Sequence, residues 1–373
     1  MLRIGFDAKR AFLNHTGLGN YSRSVIGSLA RFFPSESYFL YTPRIVKDSR
    51  TLPMLQPAVT LRSPRLPVLT SAWRSRFVVP QLKRDRLDIY HGLSHELPAG
   101  IQYTGIKTLV TIHDLIFLRY PQYYKAADRK IYELKFRHAC KHADRIIAIS
   151  EQTKRDIVHY FGTAPDKIHV VYQTCDPAFG HACTPEQLQQ VSSRYALPAH
   201  YLLYVGTIEE RKNLMLIARA LSMMPHEHLV VVGKPTAYAE KVKTYLKEHH
   251  IEGQVTFLER VPFPDLPALY QRADIFIYPS EFEGFGIPLL EALYSGVPAI
   301  GATGSCLEEA GGPGSIYVSP ENPQALADAI RLIQSDKQQR QQMIQTGKQY
   351  ASGFTEEAHA GRLMEHYRQL AAE

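Results

Sequence analysis

Residues 275–293 read IFIYPSEFEGFGIPLLEAL and carry the strongest structural signal in the chain. The apolar run at 275–280 has the composition of a buried strand. Gly284 and Gly286 then let the chain turn and approach a ligand closely. Pro288 suits the first helical position, because its missing N–H would be unpaired there anyway. The segment therefore predicts a strand, a glycine loop and a helix whose N-terminus suits a phosphate.

Similar apolar runs recur along the chain in two series, separated by stretches of helical spacing. The first series lies at 4–6, 38–41, 88–92, 108–114, 145–150 and 168–172, and the second at 201–207, 228–234, 254–259, 275–280 and 298–302. Strands without polar alternation, separated by helices, are typical of parallel sheets covered on both faces. We therefore expect an α/β protein with two doubly wound, Rossmann-like domains.

Between the two series, DPAFGHACTPEQ at 176–187 has the composition of a linker, which places the domain boundary near 176–199. We assign 1–180 to an N-terminal domain and 181–355 to a C-terminal domain. Thr355 is a favoured N-cap type, and an amphipathic helix follows it. We expect this helix, 356–373, to pack back on the N-terminal domain.

The composition excludes several classes of protein. The 373 residues are 45% hydrophobic and 21% charged, close to globular averages. Four scattered cysteines without a CxxC pair argue against a disulfide framework or a zinc site. No run approaches 18 apolar residues, and the charged N-terminus MLRIGFDAKR lacks a signal-peptide core. We expect a soluble, cytoplasmic protein.

Charge is distributed unevenly along the chain. The net charge is +7, with +13 in residues 1–200 and −6 in residues 201–373. A basic first half is typical of a domain that approaches an anionic surface, although charge also drifts along long chains. A nucleic-acid-binding protein would explain the pI of about 9.0. However, no such motif is present, and the best phosphate site lies in the acidic half.

Two cationic residues follow another predicted strand of the C-terminal domain. After the run at 201–207, Arg211 and Lys212 stand where they could clamp a diphosphate, the arginine as a fork and the lysine as a point charge. In the loop after 275–280, Glu283 can face a sugar hydroxyl while Glu291 reaches a ribose. Either site alone could be a surface charge cluster or an ordinary turn. Two such sites in one domain favour a nucleoside diphosphate ligand.

The combination of these motifs resembles the family 4 glycosyltransferases of the GT-B fold, in which two Rossmann-like domains face a deep cleft. The resemblance covers nearly the whole chain. Its motifs are GLGNYSR (17–23), TIHDL (111–115), IIAISEQTK (146–154), VGTIEERKNL (205–214), EFEGFGIPLLEAL (281–293) and GVPAIGATGSCLEEAGG (296–312).

The resemblance implies roles for the residues of the second domain. Glu283 would contact the transferred sugar, and Glu291 would bind the donor ribose. Lys212 and Arg211 would steady the leaving diphosphate. The distal phosphate would bind backbone amides of the glycine loop, those of Phe285, Gly286 and Ile287.

Further implied contacts are spread over both domains. Gly17 and Gly19 would approach the phosphates, and His113 matches the family's active-site histidine beside the donor sugar. Alternatively, His113 is a strand-end residue that caps its own backbone together with Asp114. Val261 would line the nucleobase pocket. Thr207 stands where some relatives carry an arginine, so one phosphate contact is absent and Arg211 compensates.

The resemblance also implies the chemistry. The sequence contains no Asp-x-Asp pair to hold Mg²⁺, so the cations and the helix end would replace a metal. We expect a retaining hexosyltransferase that needs no cofactor and uses a nucleotide sugar, most closely GDP-mannose. Its acceptor would be a glycan or lipid-linked saccharide in bacterial-type surface polysaccharide assembly. A UDP-sugar donor remains an alternative, as does a related epimerase or glycogen-type synthase.

The basic segment 62–86 suggests a membrane contact. It holds seven basic residues, one acidic residue and the only tryptophan, Trp73. Aromatic and aliphatic residues among cations are typical of an interfacial segment, although an ordinary amphipathic helix has the same composition. Among other classes, a non-catalytic nucleotide-binding protein would show the same sheets. A nicotinamide-dependent dehydrogenase would need GxGxxG, which TGLGNYS does not supply.

Overall fold

The computed structural model describes residues 1–64 and 73–373. The chain divides into two compact units, Met1–Gln173 with Glu356–Glu373, and Thr174–Thr355. Both units are doubly wound α/β structures, which confirms the expected fold class.

The first unit is built on a parallel sheet. Within its described residues, seven strands lie in the order β3-β2-β1-β4-β5-β6-β7. Their bounds are β1 Arg3–Asp7, β2 Ser37–Tyr41, β3 Val59–Arg62, β4 Ile89–Gly92, β5 Lys107–Ile112, β6 Arg145–Ala148 and β7 Ile168–Val170. The strand order reverses between β1 and β4, and ligands of open α/β sheets bind beyond the strand ends at such a switch point.

The second unit, which is described throughout, repeats this architecture. Six parallel strands lie in the order β10-β9-β8-β11-β12-β13, so β8 and β11 flank its switch point. Their bounds are β8 Leu202–Val205, β9 Leu229–Val232, β10 Val255–Leu258, β11 Ile275–Tyr278, β12 Ala299–Ala302 and β13 Ile316–Val318. The central strands are fully buried, with Ile275, Phe276 and Ile277 all inaccessible to solvent.

Helices connect the strands and cover the sheets. In the described chain they are α1 Lys9–Leu13, α2 Gly17–Phe32, α3 Val79–Arg84, α4 Ile116–Arg119, α5 Ala126–His142, α6 Glu151–Phe161, α7 Pro185–Arg194, α8 Leu214–Leu221, α9 Ala237–Glu248, α10 Leu266–Arg272, α11 Ile287–Tyr294, α12 Leu307–Gly311, α13 Pro323–Ser335, α14 Lys337–Ala351 and α15 Glu356–Ala372. No helix in 1–64 or 73–373 is both long and apolar enough to cross a membrane.

The last helix, α15, belongs to the first unit. Leu363, Met364 and Leu370 are buried in the same apolar cluster as the core of β1 and α2. The Tyr367 hydroxyl lies 2.7 Å from Nδ1 of His91, whose Nε2 lies 2.8 Å from the Thr111 hydroxyl. These contacts hold the C-terminal helix on the unit that begins the chain.

The segment expected to be a linker is structured. The Asp176 side chain accepts a hydrogen bond from Ala178 N and starts a 3₁₀ turn at Pro177–Gly180. Phe179, in that turn, is fully buried with its ring 5.3 Å from that of Tyr270. The units therefore divide at 173/174, ahead of the 180/181 boundary predicted from composition, because this aromatic anchor attaches the segment to the second unit.

The basic segment 62–86 is only partly described, since 65–72 lie outside the described residues. Trp73–Phe77 form a π-helical turn that leads into α3. Two of the basic residues pair within the first unit: Arg62 with Asp85 at 2.8 Å, and Arg74 with Asp7 at 2.7 Å. Phe77 is 58% exposed. The described cations of this segment are thus divided between internal pairs and the surface, and its membrane contact stays a prediction.

Candidate active site

The two loops singled out in the second domain meet at its switch point. One follows β8 and carries Arg211 and Lys212 in a 3₁₀ turn at Glu210–Lys212; the other follows β11. Glu281 N donates to Arg211 O at 2.9 Å, and the Ser280 hydroxyl oxygen lies 3.2 Å from the same carbonyl oxygen. These backbone contacts bring the predicted cations and the predicted glutamate together.

A single carboxylate oxygen organises the cluster. Oε1 of Glu283 lies 2.5 Å from Lys212 Nζ and 2.9 Å from the Arg211 guanidinium. It also accepts hydrogen bonds from the Ser280 hydroxyl at 2.6 Å and from the Tyr278 hydroxyl at 3.1 Å. Lys212 additionally donates to the Tyr278 hydroxyl. The sequence did not predict a role for Ser280 or Tyr278, although both lie near the end of the apolar run that leads into the loop.

The cluster holds its carboxylate in the charged state. Burial opposes ionisation of Glu283, but the charges of Lys212 and Arg211 outweigh it and lower the pKa to about 2. Burial lowers the pKa of Lys212, while the adjacent Glu283 favours the charged ammonium. Charged groups in such an environment are characteristic of functional sites, because each must be compensated by its neighbours.

The loop around Glu283 is fixed from two sides. The Cys306 thiol donates to Glu283 O at 3.0 Å and Phe285 O at 3.2 Å, and this cysteine is fully buried. On the other side, the Arg211 guanidinium donates to Phe282 O. Cys306 lies in the segment GSCLEEAGG at 304–312, and its role has no sequence signal apart from its position within a family motif.

The helix after this loop begins as expected, with one correction. Gly286 is its N-cap and has φ +111°, a backbone conformation that favours glycine. A Cβ atom there would lie 2.7 Å from Leu307 Cδ2. Pro288 occupies the second helical position and not the first, because the helix starts at Ile287. The first amide groups of α11 have no hydrogen-bond acceptor within the helix, because no helical turn precedes them. A phosphate site requires N–H groups of this kind.

The second glutamate, Glu291, lies in a different environment from Glu283. It sits in α11, where its Oε2 accepts a hydrogen bond of 2.8 Å from the Tyr270 hydroxyl. Burial raises its pKa to about 7, with a further contribution from Asp176, and no cation is among the causes that shift it. The two carboxylates of the motif therefore differ in charge near neutral pH. Glu283 is ionised, while Glu291 titrates.

The other residues predicted for the donor follow neighbouring strands of the second sheet. Thr207 is exposed just after β8, and its carbonyl accepts a 3.1 Å hydrogen bond from the Tyr204 hydroxyl. Val261 is half-buried shortly after β10, next to Arg260 with φ +56°. Their contacts with a nucleotide stay predictions.

In the first unit, Gly17 and Gly19 lie at the start of α2. The Asn14 side chain accepts hydrogen bonds from Thr16 N at 2.8 Å and Gly19 N at 3.2 Å, which fixes the turn before this helix. A Cβ atom on Gly19 would lie 2.0 Å from Asn14 O, so glycine is required there by close backbone approach. Gly17 has open space beside it.

His113 follows β5 and is almost entirely buried, with both ring nitrogens engaged. Nε2 donates to Leu93 O at 2.9 Å, and Nδ1 accepts from the Gln173 side chain at 3.1 Å. Burial lowers the pKa of the ring to about 4. Its edge-on contact with Tyr21, 4.6 Å between ring centroids, fixes its orientation. His113 is therefore neutral near pH 7 and is oriented by the first unit, so proton transfer would require breaking one of these bonds.

Comparison with known protein families defines the class. The model of Glycosyltransferase Family 4 matches residues 36–179, and the model of Glycosyl transferases group 1 matches residues 189–350. Between them they span most of both units. The chain belongs to the family 4 glycosyltransferases of the GT-B fold, as its motifs indicated.

The chain is also similar to individual relatives and solved structures. The chain is 27% identical to O-antigen chain mannosyltransferase B of Escherichia coli over 341 residues, which cover 86% of this chain and 88% of that one. In fold it is similar to sucrose-phosphate synthase of Thermosynechococcus elongatus, with a TM-score of 0.77, 19% identity and 100% of both chains covered. It is also similar to HepE of Anabaena in complex with UDP-glucose, with a TM-score of 0.76, 15% identity and coverage of 99% and 100%.

Proposed function

We propose that this glycosyltransferase moves mannose from GDP-mannose to a saccharide acceptor with retention of anomeric configuration and without a metal ion. The observation that carries the proposal is the cluster in which Lys212 and Arg211 converge on Glu283 at the switch point of the second sheet. The similarity to an O-antigen chain mannosyltransferase supports the choice of mannose.

The two cations supply the charge that the reaction needs. Breaking the bond between the sugar and its diphosphate builds negative charge on the leaving oxygens, and fixed donors aimed at that charge lower the barrier. Lys212 and Arg211 are held in place by their contacts with Glu283 and with the loop backbone. Together with the N-terminus of α11, they would stabilise the leaving diphosphate in place of Mg²⁺.

Glu283 has the properties of a group that faces the sugar. Its pKa of about 2 keeps it ionised, so it accepts hydrogen bonds and does not act as an acid near neutral pH. We infer that it orients the sugar and stabilises positive charge at the reacting carbon. The acceptor proton would pass to the leaving phosphate as the acceptor attacks from the same face, which gives retention.

The remaining proposed roles belong mainly to residues that lie beyond the ends of the strands. Glu291 would bind the ribose hydroxyls, and Val261 with its neighbours would contact the base. Phe285, Gly286 and Ile287 would offer backbone amides to the distal phosphate. Gly17 and Gly19 would contribute from the first unit, and His113 would act through position and not by proton transfer, since both its nitrogens are already engaged.

A UDP-sugar is the second candidate donor. The observation that favours it is the similarity in fold to HepE in complex with UDP-glucose. The cluster around Glu283 would serve either donor, because it would contact the diphosphate and the sugar but not the base.

We further propose that the acceptor is a glycan or lipid-linked saccharide in surface polysaccharide assembly. The enzyme would then work in the cytoplasm at the inner face of the membrane. The basic composition of 62–86 supports contact with anionic lipid. Flotation with anionic liposomes at low salt tests this contact, and protein that stays in the soluble fraction would refute it.

A thermal-shift panel of GDP, UDP, ADP and CMP, each with and without EDTA, tests the donor. A nucleotide at 100 times its dissociation constant stabilises the folded state by about 2.7 kcal/mol. We expect a shift with GDP that EDTA leaves unchanged. A shift with UDP alone selects the second candidate, and a shift that EDTA abolishes contradicts metal-independent binding.

A further inference from the structure

A cavity of about 210 Å³ opens in the first unit beside the switch point of its sheet. Asp7 ends β1, Tyr90 lies in β4, and Glu96 follows β4, and all three line the cavity. Ligands of open parallel sheets bind outside the strand ends at this position. None of the residues assigned above to the donor lines this cavity, so it is a separate site.

The charged groups of the cavity neutralise one another. Arg74 is bound by Asp7 at 2.7 Å and also by Glu96, whose other oxygen lies 3.2 Å from Lys135 Nζ. Two carboxylates thus face two cations in an alternating chain. An anionic ligand would find both cations already paired, and a cationic ligand would find both carboxylates paired. The lining therefore favours an uncharged ligand that exchanges hydrogen bonds.

Two further polar side chains lie in the cavity wall. Nε2 of His138 is buried and makes no hydrogen bond to any described residue. An unsatisfied buried polar group costs about 1–3 kcal/mol. Tyr90, whose side chain is only 1% exposed, lines the cavity as well. A ligand with hydroxyl groups would satisfy His138 and could bond to the Tyr90 hydroxyl.

The rest of the wall is apolar. Leu97 and Pro98 line one part, and Leu134, which is 70% exposed, lies where the cavity meets solvent. Pockets that orient small ligands combine an apolar wall with a few fixed polar groups. The volume is below the roughly 300–1,000 Å³ of sites for drug-sized ligands, which fits one ring better than an extended chain.

We propose that this cavity binds one uncharged sugar ring of the acceptor, with the Tyr90 hydroxyl and the Arg74–Glu96 pair as its hydrogen-bonding groups. The inference rests on the proposed function in taking the ligand to be the acceptor. The apolar wall would cover one face of the ring, and the carboxylates of Asp7 and Glu96 would accept from its hydroxyls. The open side at Leu134 and Lys135 would let the saccharide continue into solvent.

The test uses the only tryptophan, Trp73, which is adjacent to Arg74 in the chain. The full-length protein is titrated with methyl α-D-mannopyranoside, methyl α-D-glucopyranoside and mannobiose, with inorganic phosphate as the charged comparison. Trp73 fluorescence reports binding, and saturation-transfer NMR on the same samples detects binding that leaves the fluorescence unchanged. Tyr90→Phe removes only the hydroxyl. Tyr103→Phe, on a tyrosine that is 81% exposed and does not line the cavity, is the matched control.

We expect saturable binding of at least one sugar, a dissociation constant raised about tenfold by Tyr90→Phe, and a change of less than about twofold with Tyr103→Phe. The absence of sugar binding by both methods, or an unchanged dissociation constant in Tyr90→Phe, would overturn the proposal, as would competition by phosphate. The thermal shift with GDP, measured in parallel, separates this site from the donor. If the thermal shift with GDP is retained and no sugar binds, only the proposal that the cavity binds a sugar is rejected. Sugar binding without any nucleotide shift rejects the proposed function and keeps the sugar site.

Discussion

The ammonium group of Lys212 lies 2.5 Å from Oε1 of Glu283. Two residues that are 71 positions apart in the chain thus form a largely buried ion pair, with Arg211 as a second cation on the same oxygen. Under the proposed function, the cations that would stabilise the diphosphate are already oriented by the carboxylate that would face the sugar. Removing either member should therefore affect the other.

The first prediction concerns Glu283→Gln. The amide retains the shape of the side chain but removes the charge that compensates Lys212 and Arg211. We expect kcat to fall by about 10²–10³, in the range measured for removing a preorganised electrostatic group. The affinity for GDP should be retained or increased, because both cations lose their internal partner. Steady-state kinetics and a GDP titration measure the two effects.

Glu248→Gln is the matched control, since Glu248 is exposed at the end of α9. It should leave both quantities unchanged. A Glu283→Gln enzyme with wild-type kcat would show that this carboxylate has no part in turnover.

The second prediction concerns the pH dependence of stability through Glu291. Burial raises its folded pKa to about 7, above the ordinary value of 4.5. A raised carboxylate pKa contributes stability that is fully present below about pH 4.5 and is lost as the pH rises through about 7. Glu291→Gln remains uncharged and can still accept from Tyr270.

The variant should therefore lose less stability than the wild type between pH 5 and pH 8, and be the more stable protein at pH 8. Thermal unfolding across this pH range measures the difference. Parallel curves for the two proteins would mean that Glu291 does not titrate there.

The third prediction concerns Cys306, which contacts the loop that carries Glu283. Cys306→Ala removes the thiol that donates to Glu283 O and Phe285 O and leaves a small cavity in a fully buried site. We expect a loss of about 1–2 kcal/mol in the free energy of unfolding. The reduction in kcat should exceed the change in KM, because the loop positions Glu283.

Cys183→Ala, at a half-buried free cysteine, is the control and should retain wild-type stability and kinetics. If Cys306→Ala matched this control in kcat, the thiol would have no part in positioning the loop.

The sequence predicted the central strands of both sheets and two of the four edge strands, β7 and β10, and it missed the other two. The central strands are buried on both faces, so apolar runs identify them. The edge strands β3 at Val59–Arg62 and β13 at Ile316–Val318 were missed because prolines and serines flank both short runs, so their composition resembles that of loops. The turn at 177–180 was taken for a linker because the burial of Phe179 depends on tertiary contacts with Tyr270.

The candidate site was predictable where chain position and chemistry coincide. Arg211, Lys212 and Glu283 follow strand ends, and adjacent parallel strands bring their carboxyl ends together. The hydrogen bonds of Ser280 and Cys306 could not be predicted, because they depend on side-chain directions within folded loops. The occupied ring nitrogens of His113 likewise depend on Gln173, which lies 60 residues away.

The rate of GDP release from GDP-mannose in the presence of EDTA, with water as the acceptor, tests the central claim most directly. It is compared among the wild type, Lys212→Met and the control Lys241→Met, whose lysine is exposed on α9. The account predicts release by the wild type and by Lys241→Met, and a loss of about 10²-fold or more in Lys212→Met while the fold is retained. Release that requires a divalent metal, or full release by Lys212→Met, would contradict it.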